Sequence, residues 1–296
     1  MKNKKHPNLY IIGAPKCGTT SVANWLNQHN ECYLPEVKEP HYFNDDDGHQ
    51  MTPNIEEYLE LYNGYHNKKI LIDASVWYLF SKNAVRNIEA YTENNAKYIV
   101  CIRNPIEMVE ALHAEQVLGG NENIHDFKTA WEAQVIRANG EGLKTSTHAP
   151  SHLQYGPACK LGEQIEKLLK QVDRKRVLFV FLENMKEYPD KTFKEICKFL
   201  EVERKSLDDY KRFNKSKNLH SSFVHKSLLS LMGIKKLVPW LPSVGLLSGI
   251  KRLNIKEGAR ITTSEHTKSV LLMPYFKKDI EKLENLLGKD LSHWRV

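Results

Sequence analysis

Cysteine is scarce in this 296-residue chain: five residues, Cys17, Cys32, Cys101, Cys159 and Cys197, odd in number, far apart and without any C-x-x-C pair. That spacing offers no zinc or redox pair and reads as reduced thiols in a cytosolic protein. An uninterrupted apolar run is also lacking. The most apolar region, Leu228 to Ile250, is broken by Lys235, Lys236, Pro239 and Pro242, short of the roughly 20 residues that a membrane-spanning helix needs. The basic opening MKNKKHPNLYII leads into an apolar run too short for a signal-peptide core, and this run reaches a glycine-lysine turn where a cleavage site would stand. A cytoplasmic location is therefore expected. Internal repeats and segments of disordered composition are missing too. With 41% hydrophobic and 27% charged residues, a folded, enzyme-sized α/β protein is expected.

Acidic residues are nearly absent from one stretch. Between Lys215 and Arg260 nine Lys/Arg stand against a single acid, Glu257, so the formal charge of +7 is concentrated there and the rest of the chain is near neutral. This is either a solvated basic face or a contact for an anionic ligand or surface, including that of a membrane. No nucleic-acid partner is expected.

What is present is an alternation of apolar strands and helices. Leu9-Tyr10-Ile11-Ile12 is closed by Gly13, and from Ser21 onward Val22, Trp25 and Leu26 fall at helical spacing. Ile70-Leu71-Ile72, Tyr98 to Ile102 and Val177 to Leu182 read as further buried strands. After Arg103, Asn104 suits an N-cap, Pro105 the first helical position and Glu107 the acid of a capping box. Asp190 is expected to cap a helix through Phe193, Ile196, Cys197 and Leu200, and a last amphipathic helix runs through Phe276, Ile280, Leu283 and Leu287. Such a pattern predicts a P-loop-like three-layer α/β fold with a central parallel sheet covered by helices on both faces. The stretch from about 213 to 268 is expected to be an elaboration over the sheet, on the acceptor side.

Gly13-Ala14-Pro15-Lys16-Cys17-Gly18-Thr19-Thr20 joins the first strand to the first helix, where backbone N–H groups and the helix dipole can receive an anion. It has the Gly-x4-Gly spacing of a Walker A loop, but Thr19 occupies the place of the obligatory lysine and the one lysine, Lys16, lies inside the loop. An ordinary ATPase or GTPase reading is weakened by that substitution. The bland alternative is a glycine turn that only connects strand and helix.

In these motifs, taken in order, the sequence resembles the PAPS-dependent sulfotransferases, in particular the branch of heparan sulfate sulfotransferases and many bacterial members. Pro15-Lys16-Cys17-Gly18-Thr19-Thr20-Ser21 is similar to the family's loop for the 5′-phosphosulfate, and Ile102-Arg103-Asn104-Pro105 to the strand end that binds the 3′-phosphate. Lys38-Glu39-Pro40-His41-Tyr42-Phe43 resembles the segment with the catalytic carboxylate, and Phe181 to Met185 and Leu287 to Trp294 resemble later pieces. The resemblance covers nearly the whole chain and implies a single domain over 1–296. Two positions depart from the pattern. Ala111 stands where the family has a serine as second ligand of the 3′-phosphate, and Ala74 where glycan-modifying members carry a second active-site lysine.

The implied reaction moves the sulfuryl group of PAPS in line to a hydroxyl or amine of an acceptor, a saccharide or a small molecule, and releases PAP. Its transition state is loose, so positioning and charge stabilisation dominate and no metal is expected. Lys16 is the candidate cation at the bridging oxygen, with Thr19, Thr20 and loop N–H groups on the 5′-phosphate. Glu39 is the first candidate for general base and His41 the second, unless His41 only packs or orients the acceptor. Arg103 suits a two-pronged contact with phosphate, although an arginine at a strand end can also simply pair with a carboxylate. His113 is read as scaffold. A P-loop nucleotide kinase and a catalytically silent PAP- or polyanion-binding protein are the competing readings.

Overall fold

Strands that are apolar on both faces can only be satisfied between two layers of helices, and that requirement organises the molecule. The computed structural model describes residues 6–46, 48, 50–143, 147, 149–207, 209–210, 217–219, 255–257 and 263–295. In chain order the elements are β1 (Leu9–Gly13), α1 (Thr19–Asn27), β2 (Cys32–Tyr33), α2 (Ile55–Glu60), β3 (Ile70–Asp73), α3 (Ala84–Tyr91), β4 (Lys97–Ile102) and α4 (Pro105–Gly119). There follow α5 (Phe127–Arg137), α6 (Tyr155–Cys159), α7 (Leu161–Gln171), β5 (Val177–Phe181), α8 (Leu182–Glu187), α9 (Pro189–Leu200), β6 (Lys217–Leu219), β7 (Ile255–Glu257) and α10 (Met273–Leu287).

The main sheet is parallel throughout, in the order β2-β3-β1-β4-β5. β1 lies at its centre with every residue buried, paired through Leu9 with Ile72 on one side and Lys97 on the other. The connection leaving β1 runs to the β2 edge, whereas the one leaving β4 runs to the β5 edge. The direction of winding thus reverses between β1 and β4, and a crevice opens outside their carboxyl ends, where α/β sheets take their ligands. Gly13 and Arg103 stand at that crevice.

Four of the five strands lie where the apolar runs place them; β2, two residues long, gave no readable pattern. β5 stops at Phe181, and Leu182 opens α8. Asp190 does not cap α9. Pro189 takes the first helical position after Tyr188, because its fixed φ suits that site, and Asp190 sits inside the first turn, pairing with Lys194 at 2.7 Å and accepting from the Tyr210 hydroxyl at 2.8 Å. Asn104 does cap α4, its Oδ1 accepting from Ile106 N at 3.0 Å. Glu107 stands in the first turn of that helix, where its Oε2 accepts from the guanidinium of Arg103.

The last helix closes the structure. Lys160 gives α7 no side-chain cap, and Asp279 of α10 supplies it instead, accepting from the N–H groups of Gly162 and Glu163 at 2.9 Å each. Gly162 is required for this approach, since a Cβ there would collide with the Asp279 carbonyl oxygen. The turn after α10 docks Trp294 against Phe181, and Asn104 Nδ2 donates to the Trp294 carbonyl at 3.5 Å. All five cysteines are buried and free. Among the described residues no helix is long and apolar enough to cross a membrane. The 213–268 elaboration lies outside the described residues, apart from the antiparallel pair β6·β7 and the chain from 263 onward.

Candidate functional site

The loop after β1 is shaped by its two glycines. Gly13, at φ +149°, passes so close to the β3–α3 connection that a Cβ would meet the Val76 carbonyl at 2.8 Å. Gly18, at φ +96°, serves as N-cap of α1 without any side-chain cap, and a Cβ there would press on Leu182 and Met185 at 3.0–3.2 Å. Between them Pro15 and Cys17 are buried, and Lys16, partly exposed, takes a left-handed conformation at φ 63°. Thr19, Thr20 and Ser21 form the first turn of α1, its positive dipole end. The Cys17 thiol donates to Pro15 O, and burial, only partly countered by Arg103 and Lys16, pushes its pKa up to about 12. It therefore stays protonated and is no nucleophile.

Arg103 and Lys16 are brought together at the crevice: Arg103 Nη1 donates to the Lys16 carbonyl at 3.3 Å. Each also holds a carboxylate of α4. Arg103 donates through Nε and Nη2 to Glu107 Oε2 at 3.0 and 2.6 Å, and Lys16 Nζ donates to Glu115 Oε1 at 2.8 Å. Glu107, Ala111 and Glu115 are spaced four residues apart and so lie along one face of that helix. Ala111 is buried between the two acids.

The Lys38–Phe43 segment approaches from the other side. Lys38 Nζ donates to Thr20 Oγ1 at 2.8 Å and to Glu39 Oε1 at 2.9 Å, and His41 Nε2 lies 3.3 Å from Glu39 Oε2. Burial by itself would raise the Glu39 pKa, but the His41 hydrogen bond and the charge and hydrogen bond of Lys38 outweigh it and hold the carboxyl at about 2. Glu39 and His41 both have positive φ, 63° and 48°, a conformation that costs non-glycine residues energy and has to be held by its surroundings.

The holding is done from β3. Asp73, fully buried at the strand's carboxyl end, accepts from Ser75 Oγ at 2.7 Å, Tyr58 OH at 2.8 Å and Tyr78 OH at 3.0 Å. Ser75 Oγ in turn accepts from His41 N at 3.1 Å, and the Tyr78 hydroxyl from Tyr42 N and Phe43 N at 3.0 and 3.3 Å. Desolvation raises the Asp73 pKa, opposed by those three hydroxyl bonds. Ala74 is buried next to this anchor. His113 lies away from it, bonded to the Ile124 carbonyl at 2.8 Å and edge-on to Phe127 and Tyr155.

Lys38 belongs to the Lys38–Phe43 motif and Asp73 lies between the Ile70–Ile72 run and Ala74, yet neither has a role that its sequence context announces. The sequence marks Glu107 only as the acid of a helix start, and Glu115 lies in no motif. Among the described residues no group of His, Cys, Asp and Glu is placed to hold a metal ion.

Fold and site together define an α/β protein with a glycine-bounded loop at the switch point of a parallel sheet and a carboxylate–imidazole pair joined to it through Lys38. The chain belongs to the sulfotransferase family, whose domain matches residues 6–236. It is 32% identical over 166 residues to the membrane-associated sulfotransferase kil1 of Dictyostelium discoideum, a match covering 54% of this chain and 33% of that protein. It is 26% identical over 144 residues to human carbohydrate sulfotransferase 15, covering 34% of this chain and 26% of that one. The matches thus span about a third or less of the length of these curated relatives. A sulfotransferase from Alicyclobacillus acidocaldarius has the same fold, with a TM-score of 0.71 at 21% identity over 99% of this chain and 100% of that one.

Proposed function

We propose that the protein is a PAPS-dependent sulfotransferase that transfers the sulfuryl group in line to an acceptor hydroxyl and releases PAP. The observation that carries this reading is the continuous set of hydrogen bonds joining the loop of α1 through Lys38 to Glu39 and His41, with Arg103 bonded to the same loop. A phosphate-gripping half and a proton-accepting half are thereby in direct contact, as an in-line transfer needs. The loop N–H groups, Thr19 and Thr20 would receive the 5′-phosphate, Arg103 the 3′-phosphate, and Lys16 the negative charge on the departing oxygen. Glu39 would take the acceptor's proton, its ionised state being secured by His41 and Lys38. Binding would require Arg103 and Lys16 to exchange Glu107 and Glu115 for phosphate oxygens.

A saccharide acceptor is supported by the likeness to human carbohydrate sulfotransferase 15. We read 1–296 as one cytoplasmic domain whose basic 215–260 stretch meets an anionic acceptor or membrane surface.

Thermal unfolding with PAP and with ATP plus magnesium tests the donor reading, because a ligand that binds only the folded state raises the melting temperature. PAP should stabilise the protein and ATP with magnesium much less, since Thr19 replaces the Walker lysine. Equal or greater stabilisation by ATP would favour a nucleotide kinase. PAP binding without turnover over many acceptors would favour a silent binding protein.

A further inference from the structure

We infer that Lys38 is a positioning residue for the transfer step, whose ammonium holds the Glu39 carboxylate against the first turn of α1 and meets the sulfonate oxygens of the donor when they enter between the two. The inference rests on the donor reading above and assigns the sulfonate its own protein contact.

The geometry is direct. Lys38 Nζ is bonded at once to Thr20 Oγ1 at 2.8 Å and Glu39 Oε1 at 2.9 Å, and its side chain is 23% exposed, so it is reachable from the crevice. In-line transfer places the sulfur between the leaving 5′-phosphate oxygen and the incoming acceptor oxygen. The loop and Thr20 stand at the first of these and Glu39 at the second. A cation bonded to both Thr20 and Glu39 therefore stands beside the line along which the sulfuryl group moves.

Charge demands such a group. A sulfonate brought next to an ionised carboxylate is repelled unless a cation is shared between them. In the donor reading the other two cations of the site have their own tasks, Lys16 at the departing oxygen and Arg103 at the 3′-phosphate, whereas Lys38 is the one bonded to Glu39 itself. An ammonium has three N–H donors, so with two on Thr20 and Glu39 a third can be offered to a sulfonate oxygen. The segment cannot easily drift from this place, because Ser75 and Tyr78 hold the backbone N–H groups of His41, Tyr42 and Phe43.

In the reaction the acceptor oxygen bonds to sulfur, the bridging S–O bond breaks with its electron pair going to the 5′-phosphate, and the acceptor's proton goes to Glu39. Lys38 keeps its protons throughout. Its part is to keep the carboxylate ionised and aimed while screening it from the sulfonate.

PAP lacks the sulfonate, so the two nucleotides separate this role from a merely structural one. Calorimetric titrations of PAPS and of PAP into the full chain, with no acceptor present, are the measurement. Lys38→Met should bind PAPS about tenfold more weakly and PAP less than about twofold more weakly, and Lys38→Arg should keep most of the PAPS affinity. Retained PAP binding in Lys38→Met reports an intact fold. Equal losses for both nucleotides, or no loss for either, overturn the inference while leaving the donor reading standing. A wild-type chain that binds neither nucleotide overturns both.

Discussion

Lys16 Nζ and Glu115 Oε1 are 2.8 Å apart although ninety-nine residues separate them in the chain. The pair is partly exposed, 20% and 46% for the two side chains, a setting in which an ion pair contributes about 0.2–1 kcal/mol. Glu115 thus competes weakly with any phosphate for Lys16. Glu115→Gln should tighten PAP binding by up to about fivefold, the equivalent of that energy. Calorimetry decides, and weaker binding in the variant would mean that Glu115 aims Lys16 instead of competing for it.

The acid side of the activity profile should be flat. With its carboxyl held at about 2, Glu39 stays ionised down to well below pH 5. A depressed pKa contributes stability that is present above the ordinary carboxylate range of about 4 and is lost as pH falls through about 2. An acid limb in kcat above about pH 5 would therefore belong to another group. Glu39→Gln and Lys16→Ala should each lower the transfer rate by about 10² or more. Glu39→Gln should leave PAP affinity nearly unchanged, and Arg103→Ala should weaken it severely. Normal turnover in Glu39→Gln would move attention to His41.

Ser75 links Asp73 to the backbone of His41, so Ser75→Ala leaves a buried N–H and part of a buried carboxylate without their partner. A loss of about 1–3 kcal/mol in denaturant unfolding is expected, together with a slower transfer rate and unchanged PAP affinity. The Asp73 pKa, raised by burial, works in the opposite sense to that of Glu39. A folded-state pKa above the unfolded value makes stability fall as pH rises through that interval. Asp73→Asn should remove this component of the pH dependence of unfolding, and an unchanged pH dependence would assign it elsewhere.

Ala111 is 1% exposed on α4, so the missing serine hydroxyl would enter a packed place. Ala111→Ser should lower the melting temperature without ligand, because a buried hydroxyl without a partner costs about 1–3 kcal/mol. If the hydroxyl then reaches the 3′-phosphate, PAP affinity rises by about tenfold and the ligand-induced shift grows. Unchanged affinity would mean that another group already holds the phosphate or that α4 is turned differently from the family pattern.

Much of the scaffold was legible because its signal is local. Leu9 to Ile12, Ile70 to Ile72, Tyr98 to Ile102 and Val177 to Phe181 are contiguous apolar runs, and Asn104-Pro105 announces a helix. β2 escaped because two residues have no periodicity, and Asp190 misled because a good cap residue is also favoured inside the first turn, where the helix dipole welcomes an acid. Within the site, Lys16, Glu39, His41 and Arg103 stood out by motif. Their partners did not, since the contacts of Glu115 with Lys16 and of Ser75 with His41 exist only once distant segments have met.

The cap that Asp279 places on α7 comes from 117 residues further along the chain than Gly162. During synthesis the chain emerges from its amino end, so β1, α1, β3 and β4 can meet while α7 still has exposed N–H groups at its start. The ribosome must deliver α10 before that helix end is closed. Nascent chains stalled before Asp279 should therefore expose α7 to proteases while the strands around the loop are already protected.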